Sequence, residues 1–160
     1  MREDVIEFLL LADEPSAADI VASWYFEQWC RDTGRYTQEQ VLAKVLAATN
    51  RDQAPMLILA RLNQEWVGAA ELKIREMELY PDYEFWLGGV YVAEQARGYG
   101  VASALVKEAL ARARTAGIKH LYLQTEDLTG GLYTRHGFLP WARVESKGID
   151  VLVMVTSLVD

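Results

Sequence analysis

The sequence predicts an α/β domain on a mixed, mostly antiparallel central sheet with flanking helices. Three observations predict it. Apolar residues recur at helical spacing in the first fifty residues, the period changes to strand-like alternation from Pro55 onward, and one strand–loop–helix–strand unit is spelled between Tyr83 and Glu126. The 160 residues contain no repeat, low-complexity tract or Pro/Ser-rich linker, so one continuous domain over 1–160 is expected.

Each element has its own reason. In EPSAADIVASWYFEQWC, Glu14 to Cys30, the residues Ile20, Val21, Trp24, Tyr25 and Trp29 fall at helical intervals behind Ser16, the expected N-cap. TQEQVLAKVLAA repeats the pattern with Thr37 and Gln40 in capping-box positions. PMLILARL and EWVGAAELKIRE, joined by Asn63 and Gln64, read as a hairpin whose second strand bends at Gly68. YEFWLGGVYV is a third strand. After the loop AEQARG a helix is expected from Gly100 to Thr115, with an apolar stripe of Val101, Leu105, Val106, Ala109 and Leu110. Arg112 and Arg114 suit its dipole and Gly117 its C-cap. KHLYLQTE returns parallel to the third strand, TGGLYTRHG is a short helix closed by Gly137, and LPWARVES pairs with DVLVMVTSLV around Lys147 and Gly148. That last strand is apolar enough to be a core strand or an edge shared in a homodimer.

Composition excludes several function classes. A formal net charge of −7 disfavours a nucleic-acid partner, whose phosphates need surplus Lys and Arg, and suits a cationic one. No apolar run approaches the roughly 20 residues of a membrane span, so no membrane partner is expected. The run FLLLA is flanked by acids where a signal peptide has a basic start. The single cysteine, Cys30, expected as a small buried hydrophobe, allows no intramolecular disulfide and fits a reducing, cytoplasmic setting. His120 and His136 have no ligating neighbours in sequence, so no metal is expected.

The stretch GGVYVAEQARGYGVASALVKEAL carries the most chemistry. A strand, a loop with Gly98 and Gly100, and the free amides of a helix start converge on an anion. The glycines let a pyrophosphate approach the backbone, and Arg97 places a cation beside it. A dinucleotide fingerprint needs a third glycine where Ser103 stands, and a Walker A loop is not spelled.

QARGYGVA resembles the Q/R-x-x-G-x-G/A signature of the GNAT superfamily of acyl-CoA-dependent N-acetyltransferases, with Gln95, Gly98 and Gly100 in register. LYTRHGF, Leu132 to Phe138, is similar to the same family's L-Y-x-x-x-G-F closing motif. The resemblance spans Leu57 to Leu158, and the helix pair before it fits the family order. The chain departs from the pattern at Glu126, where an asparagine is frequent, and at Thr129, a usual alanine.

The resemblance implies a GNAT-like sheet with two splayed parallel strands and acetyl-CoA as cofactor. Its pantetheine would pair with backbone around Val90, Tyr91 and Val92, and its phosphates would meet Gln95, Arg97, Gly98, Tyr99, Gly100, Val101 and Ala102, with Thr129 and Tyr133 near the thiol end. Acetyl transfer to an amine needs a base, because an alkyl ammonium has a pKa near ~10.4, and an acid for the leaving thiolate. Tyr133 is the implied acid. Glu84 is the first candidate base, expected on one strand face with Trp86, Gly88, Val90 and Val92, and Glu71 on the preceding strand is the alternative. The acceptor, a small cationic amine or a peptide amine, would lie between Trp24, Tyr25 and Trp29 of the early helix and Asp82, Glu84 and Trp86 opposite. Two other classes stay open: an acyl-CoA-binding sensor without turnover, and a dinucleotide-binding domain.

Overall fold

In the first third, two helices form on one side of a strand that has yet to find its partners. The computed structural model describes residues 5–159. Strand β1 (Glu7–Leu10) leads through a 3₁₀ turn, Pro15–Ala17, into α1 (Ala18–Tyr25), which continues as a single π turn, Phe26–Cys30. Ser16 therefore does not cap α1. Pro15 opens the turn a few residues early, and Ala17 precedes the helix without a side-chain cap. Helix α2 (Gln38–Leu46) has the expected capping box: the Gln40 amide donates to Thr37 Oγ1 at 3.1 Å and the Thr37 amide donates to Gln40 Oε1 at 2.8 Å.

The remaining elements are β2 (Met56–Leu62), β3 (Glu65–Ile74), β4 (Phe85–Val92), α3 (Val101–Thr115), β5 (His120–Thr125), α4 (Gly131–Thr134), β6 (Leu139–Ser146) and β7 (Ile149–Ser157). They complete a seven-stranded sheet in the order β1-β2-β3-β4-β5-β7-β6. Every neighbouring pair is antiparallel except β4 and β5. Those two register only at Trp86 and Tyr122, near the start of each strand, and from there toward Val92 and Thr125 no pairing joins them. Strand β7 is paired along both sides, by β5 and by β6. The reading of it as an edge shared between subunits is thus corrected, since Val151 to Met154 are buried inside the sheet. Among the described residues no helix is long and apolar enough to cross a membrane.

Two cores sandwich the sheet. Ile58, Ala70, Leu72 and Leu87 pack under Leu105, Val106 and Ala109 of α3, while Leu57, Leu59 and Ala69 pack under Val21, Ala22, Val41 and Val45 of α1 and α2. Gly68 permits the first contact. A Cβ there would stand 2.7 Å from the Tyr91 carbonyl oxygen and 2.9 Å from Leu105 Cδ1.

One irregularity positions the site. Ala69 pairs with Tyr91 and Glu71 with Gly88, so Gly89 and Val90 face the single residue Ala70 and β4 carries a bulge. The bulge inverts the strand's alternation. Trp86 packs with Met77, Val151 and Val153, Gly88 faces Lys73 and Tyr91 packs against the core under α1 and α2, whereas Val90 and Val92 pack on the α3 core. The expectation of one continuous face from Glu84 to Val92 is corrected by that one inserted residue.

Candidate active site

Where β4 leaves β5, the sheet opens into a cavity of about 550 Å³. Its floor is Trp86, Gly88, Gly89 and Glu71, its α1 wall is Tyr25 and Trp29, and Tyr133 of α4 closes the side next to β5. Glu71 is the one buried charged side chain among the described residues, 6% exposed. Burial lifts its carboxyl above the ordinary glutamate range, against the opposing pull of Lys73, whose Nζ lies 3.8 Å from Glu71 Oε2. Lys73 also reaches Glu76 at 3.8 Å. Although burial opposes its charge, the two carboxylates together hold its ammonium above the ordinary range.

Gly89 is required here twice over. Its φ of +58° lies in the left-handed region, and a Cβ would meet the Tyr25 hydroxyl at 2.6 Å and Glu71 Oε2 at 2.7 Å. Tyr25 in turn donates to the Gly89 carbonyl at 2.7 Å, tying α1 to the bulge. Gly89→Ala is therefore expected to destabilise the fold by roughly 2–4 kcal/mol, from overpacking plus backbone strain, which thermal unfolding would register. A wild-type melting temperature would mean that the bulge relaxes.

The structure brings together some of the expected residues and not others. Glu71, Trp86, Trp29 and Tyr133 share the cavity. Glu84 does not line it. It precedes β4, four residues and roughly 13 Å of strand from Gly88 at ~3.3 Å per residue, and its half-exposed carboxylate pairs with Arg75 at 3.4 Å. Alternation assigned it a face but not a depth along the strand. Asp82 is likewise exposed in the loop before β4 and away from the cavity. Trp24 is outside it too, stacked on Tyr91 with ring centroids 5.3 Å apart. Cys30 is half-buried: it packs against the core under α1 and α2 and also lines the cavity.

Reading by residue type missed Tyr25 as a hydrogen-bonding partner of the bulge, and it missed the cavity's cations altogether. Only the capping-box helix carrying Lys44 and the turn at Lys147 offered a signal, and neither pointed to a site.

Tyr133 is half-buried, its ring edge-on to Phe138 with centroids 6.0 Å apart. Burial pushes its hydroxyl above the ordinary phenol range, so it stays protonated. Beside it, His136 Nε2 and Ser103 Oγ lie 2.8 Å apart and join α4 to the first turn of α3. Thr129 is turned into its own loop. Its hydroxyl and amide both donate to Asp127 Oδ1, at 2.5 and 3.0 Å, and hold that carboxyl below the ordinary aspartate range.

The second half of the site is the start of α3. Gly98 and Gly100 have φ of +88° and +79°, and no atom lies within 4 Å of the place a Cβ would occupy at either. Gly100 caps the helix without a side chain, and the Ala104 amide, donating to the Gly100 carbonyl at 3.0 Å, closes the first turn. The amides of Val101, Ala102 and Ser103 thus point out of a fifteen-residue helix at its positive end. Gln95 and Tyr99 are exposed beside them. The Ala93 amide donates to Val67 at 2.7 Å, so by alternation the polar groups of Val92 face the side β5 has vacated, where Arg97 Nε already donates to the Val92 carbonyl at 3.0 Å. Tyr91 offers that edge neither backbone, which by the same alternation faces β3, nor ring, which is held between Trp24 and Trp29.

A sequence profile of the acetyltransferase (GNAT) family matches residues 15–138. The chain belongs to the GNAT acetyltransferase family. No curated protein sequence matches it, but solved structures share its fold. A GNAT-family acetyltransferase from Streptococcus pneumoniae is similar at 23% identity and TM-score 0.68, over 97% of this chain and 99% of the other. Aminoglycoside 6'-acetyltransferase type Ii is similar at 15% identity and TM-score 0.73, over 98% of each. A chain from Salmonella typhimurium, solved with its cofactor acetyl-CoA, is similar at 19% identity and TM-score 0.71, over 99% and 96%.

As a GNAT acyltransferase the chain uses acetyl-CoA, and the residues present fit that cofactor. The open glycine backbone and outward amides at α3 match a pyrophosphate, and the vacated edge of β4 matches an extended amide-bearing arm. Gly100→Val is expected to weaken acetyl-CoA binding about tenfold or more, since a branched side chain is strained at that φ and would cover the amides. Calorimetric titration would check it, and undiminished affinity would place the phosphates elsewhere.

Proposed function

We propose that this protein transfers the acetyl group of acetyl-CoA to a primary amine by direct attack on the thioester, with Glu71 as base and Tyr133 as acid. One observation carries the assignment of roles. A buried carboxylate and a half-buried phenol line the same cavity where β4 and β5 separate, and each is shifted toward the protonation behaviour its role requires.

Bound acetyl-CoA supplies an acetyl group activated as a thioester, and its transfer joins that group to the acceptor nitrogen and releases CoA as a free thiol. Glu71 takes the proton that an incoming ammonium must lose, and its lifted carboxyl is a stronger base than an exposed one. Lys73, paired with Glu71 and Glu76, keeps the carboxylate oriented. Because Gly89 has no side chain, the Glu71 carboxylate can lie directly against the backbone of β4 at the cavity floor. The Val92 amide faces that edge and is placed to donate to a developing oxyanion. Tyr133 holds the proton that the departing sulfur needs. Trp29 offers a ring face to a cationic amine, a contact worth about 0.5–2 kcal/mol, whereas Trp86, 1% exposed, supports the floor from below.

The test is thiol release from acetyl-CoA across a panel of small amines and N-terminal peptides. Acceptor-dependent release supports transfer. Tight acetyl-CoA binding with no release on any acceptor would leave an acyl-CoA-binding module instead.

A further inference from the structure

Four of the chain's sixteen Lys and Arg residues line this one cavity in a protein of net charge −7. Lys73 is neutralised by Glu71 and Glu76. Arg35, Lys44 and Lys147 form no ion pair among the described residues, although they come from three separate segments: the α1–α2 loop, the last turn of α2, and the β6–β7 turn.

They are held together at one rim. The Arg35 guanidinium donates to the Lys147 carbonyl, bridging loop and turn across the cavity mouth. Lys44 Nζ sits 3.9 Å above the centre of the Tyr36 ring. Lys44, and behind it Lys147, hold the Tyr36 hydroxyl below the ordinary phenol range, as expected where cations crowd one phenol. Local turn chemistry does not explain Lys147. It is the first residue of a two-residue turn in which both φ are positive, +53° at Lys147 and +83° at Gly148, a position that favours Asn, Asp or Gly. Glu126 and Asp127 also line the cavity and Lys44 pulls on the Glu71 carboxyl, but among the described residues no carboxylate pairs with these three cations, and like charges gathered without a paired partner favour the arrival of an anion.

We propose that the amine acceptor carries an oxyanion, a carboxylate in the first instance, which docks on the Arg35, Lys44 and Lys147 rim while its amine faces Glu71. The proposal rests on the reading of this cavity as the acceptor site. An amine with a neutral tail leaves the three cations without a direct ion-pair partner, whereas an amino carboxylate meets both ends of the cavity.

The experiment compares amino acids and ω-amino carboxylates, each beside its own carboxamide, in two readouts: kcat/KM for thiol release, and calorimetric titration into enzyme saturated with CoA. The acids are expected to exceed their amides by about tenfold or more in both, as for a charge-assisted contact of roughly 1.4 kcal/mol. The ratio should shrink with added salt, because the rim is exposed. The double variant Lys44→Ala/Lys147→Ala should lower that ratio about tenfold, while Lys119→Ala, at the start of β5, leaves it unaltered.

Equal use of acids and amides, or an undiminished ratio in the double variant, overturns the proposal. So does loss of acetyl-CoA affinity in the double variant, which would give the rim to the donor. If no amine is acetylated but acids still bind better than amides through Lys44 and Lys147, the anion site stands and the catalytic reading falls.

Discussion

Glu71→Gln lowers kcat about 10²–10⁴-fold at saturating acetyl-CoA, the usual worth of a positioned base, and leaves a folded protein. Glutamine keeps the shape that packs against Gly89 and Tyr25, and Lys73 retains Glu76 at 3.8 Å. The sign of the pH dependence separates catalysis from structure. Burial raises the Glu71 carboxyl in the folded state, so wild-type kcat/KM rises with pH through a value above the ordinary glutamate range, and the variant loses that limb. For stability the same shift runs the other way. A carboxyl raised on folding contributes stability that is fully present below its unfolded pKa and lost as pH rises through the folded one. Removing its charge therefore does not cost stability near neutrality through this group. Activity-against-pH profiles and thermal unfolding of both proteins would check the pair of claims. Wild-type kcat in Glu71→Gln would remove Glu71 from the proton path.

Tyr133→Phe lowers kcat about a hundredfold, the lower end of the acid–base range because water can partly replace the donor. Its KM for acetyl-CoA changes little, since the outward amides of α3 are untouched. Burial raises the wild-type hydroxyl, so activity is retained until pH exceeds the ordinary phenol range and the variant lacks that descending limb. Single-turnover thiol release would separate the chemical step from product loss. A variant with full kcat would reduce Tyr133 to its packing against Phe138.

Much of this architecture is legible residue by residue. The capping box at Thr37 and Gln40, the turn at Asn63 and Gln64, and the start of α3 at Gly100 are local arrangements, decided by side chains within a few positions of one another. The N-cap at Ser16 was misplaced because Pro15 could begin a turn of its own. Glu84, expected at the site, stands away from the cavity for a different reason. Period-two alternation says which face a strand residue takes, but Glu84 and Glu71 differ in how far along the sheet they lie and in whether Arg75 or a cavity receives them.

The sequence by itself determined the order of elements, the glycine loop before α3 and the tyrosine of the closing motif, because each depends on spacing along the chain. Tertiary structure alone decided the rest. The bulge at Gly89 exists only once β3 and β4 have chosen a register, and it packs the Val90 and Val92 side chains on the α3 core while leaving Glu71 beside Gly89. The rim of Arg35, Lys44 and Lys147 joins positions more than a hundred residues apart. No local pattern encodes such a meeting, since charges that far apart in sequence interact only after folding brings their segments together.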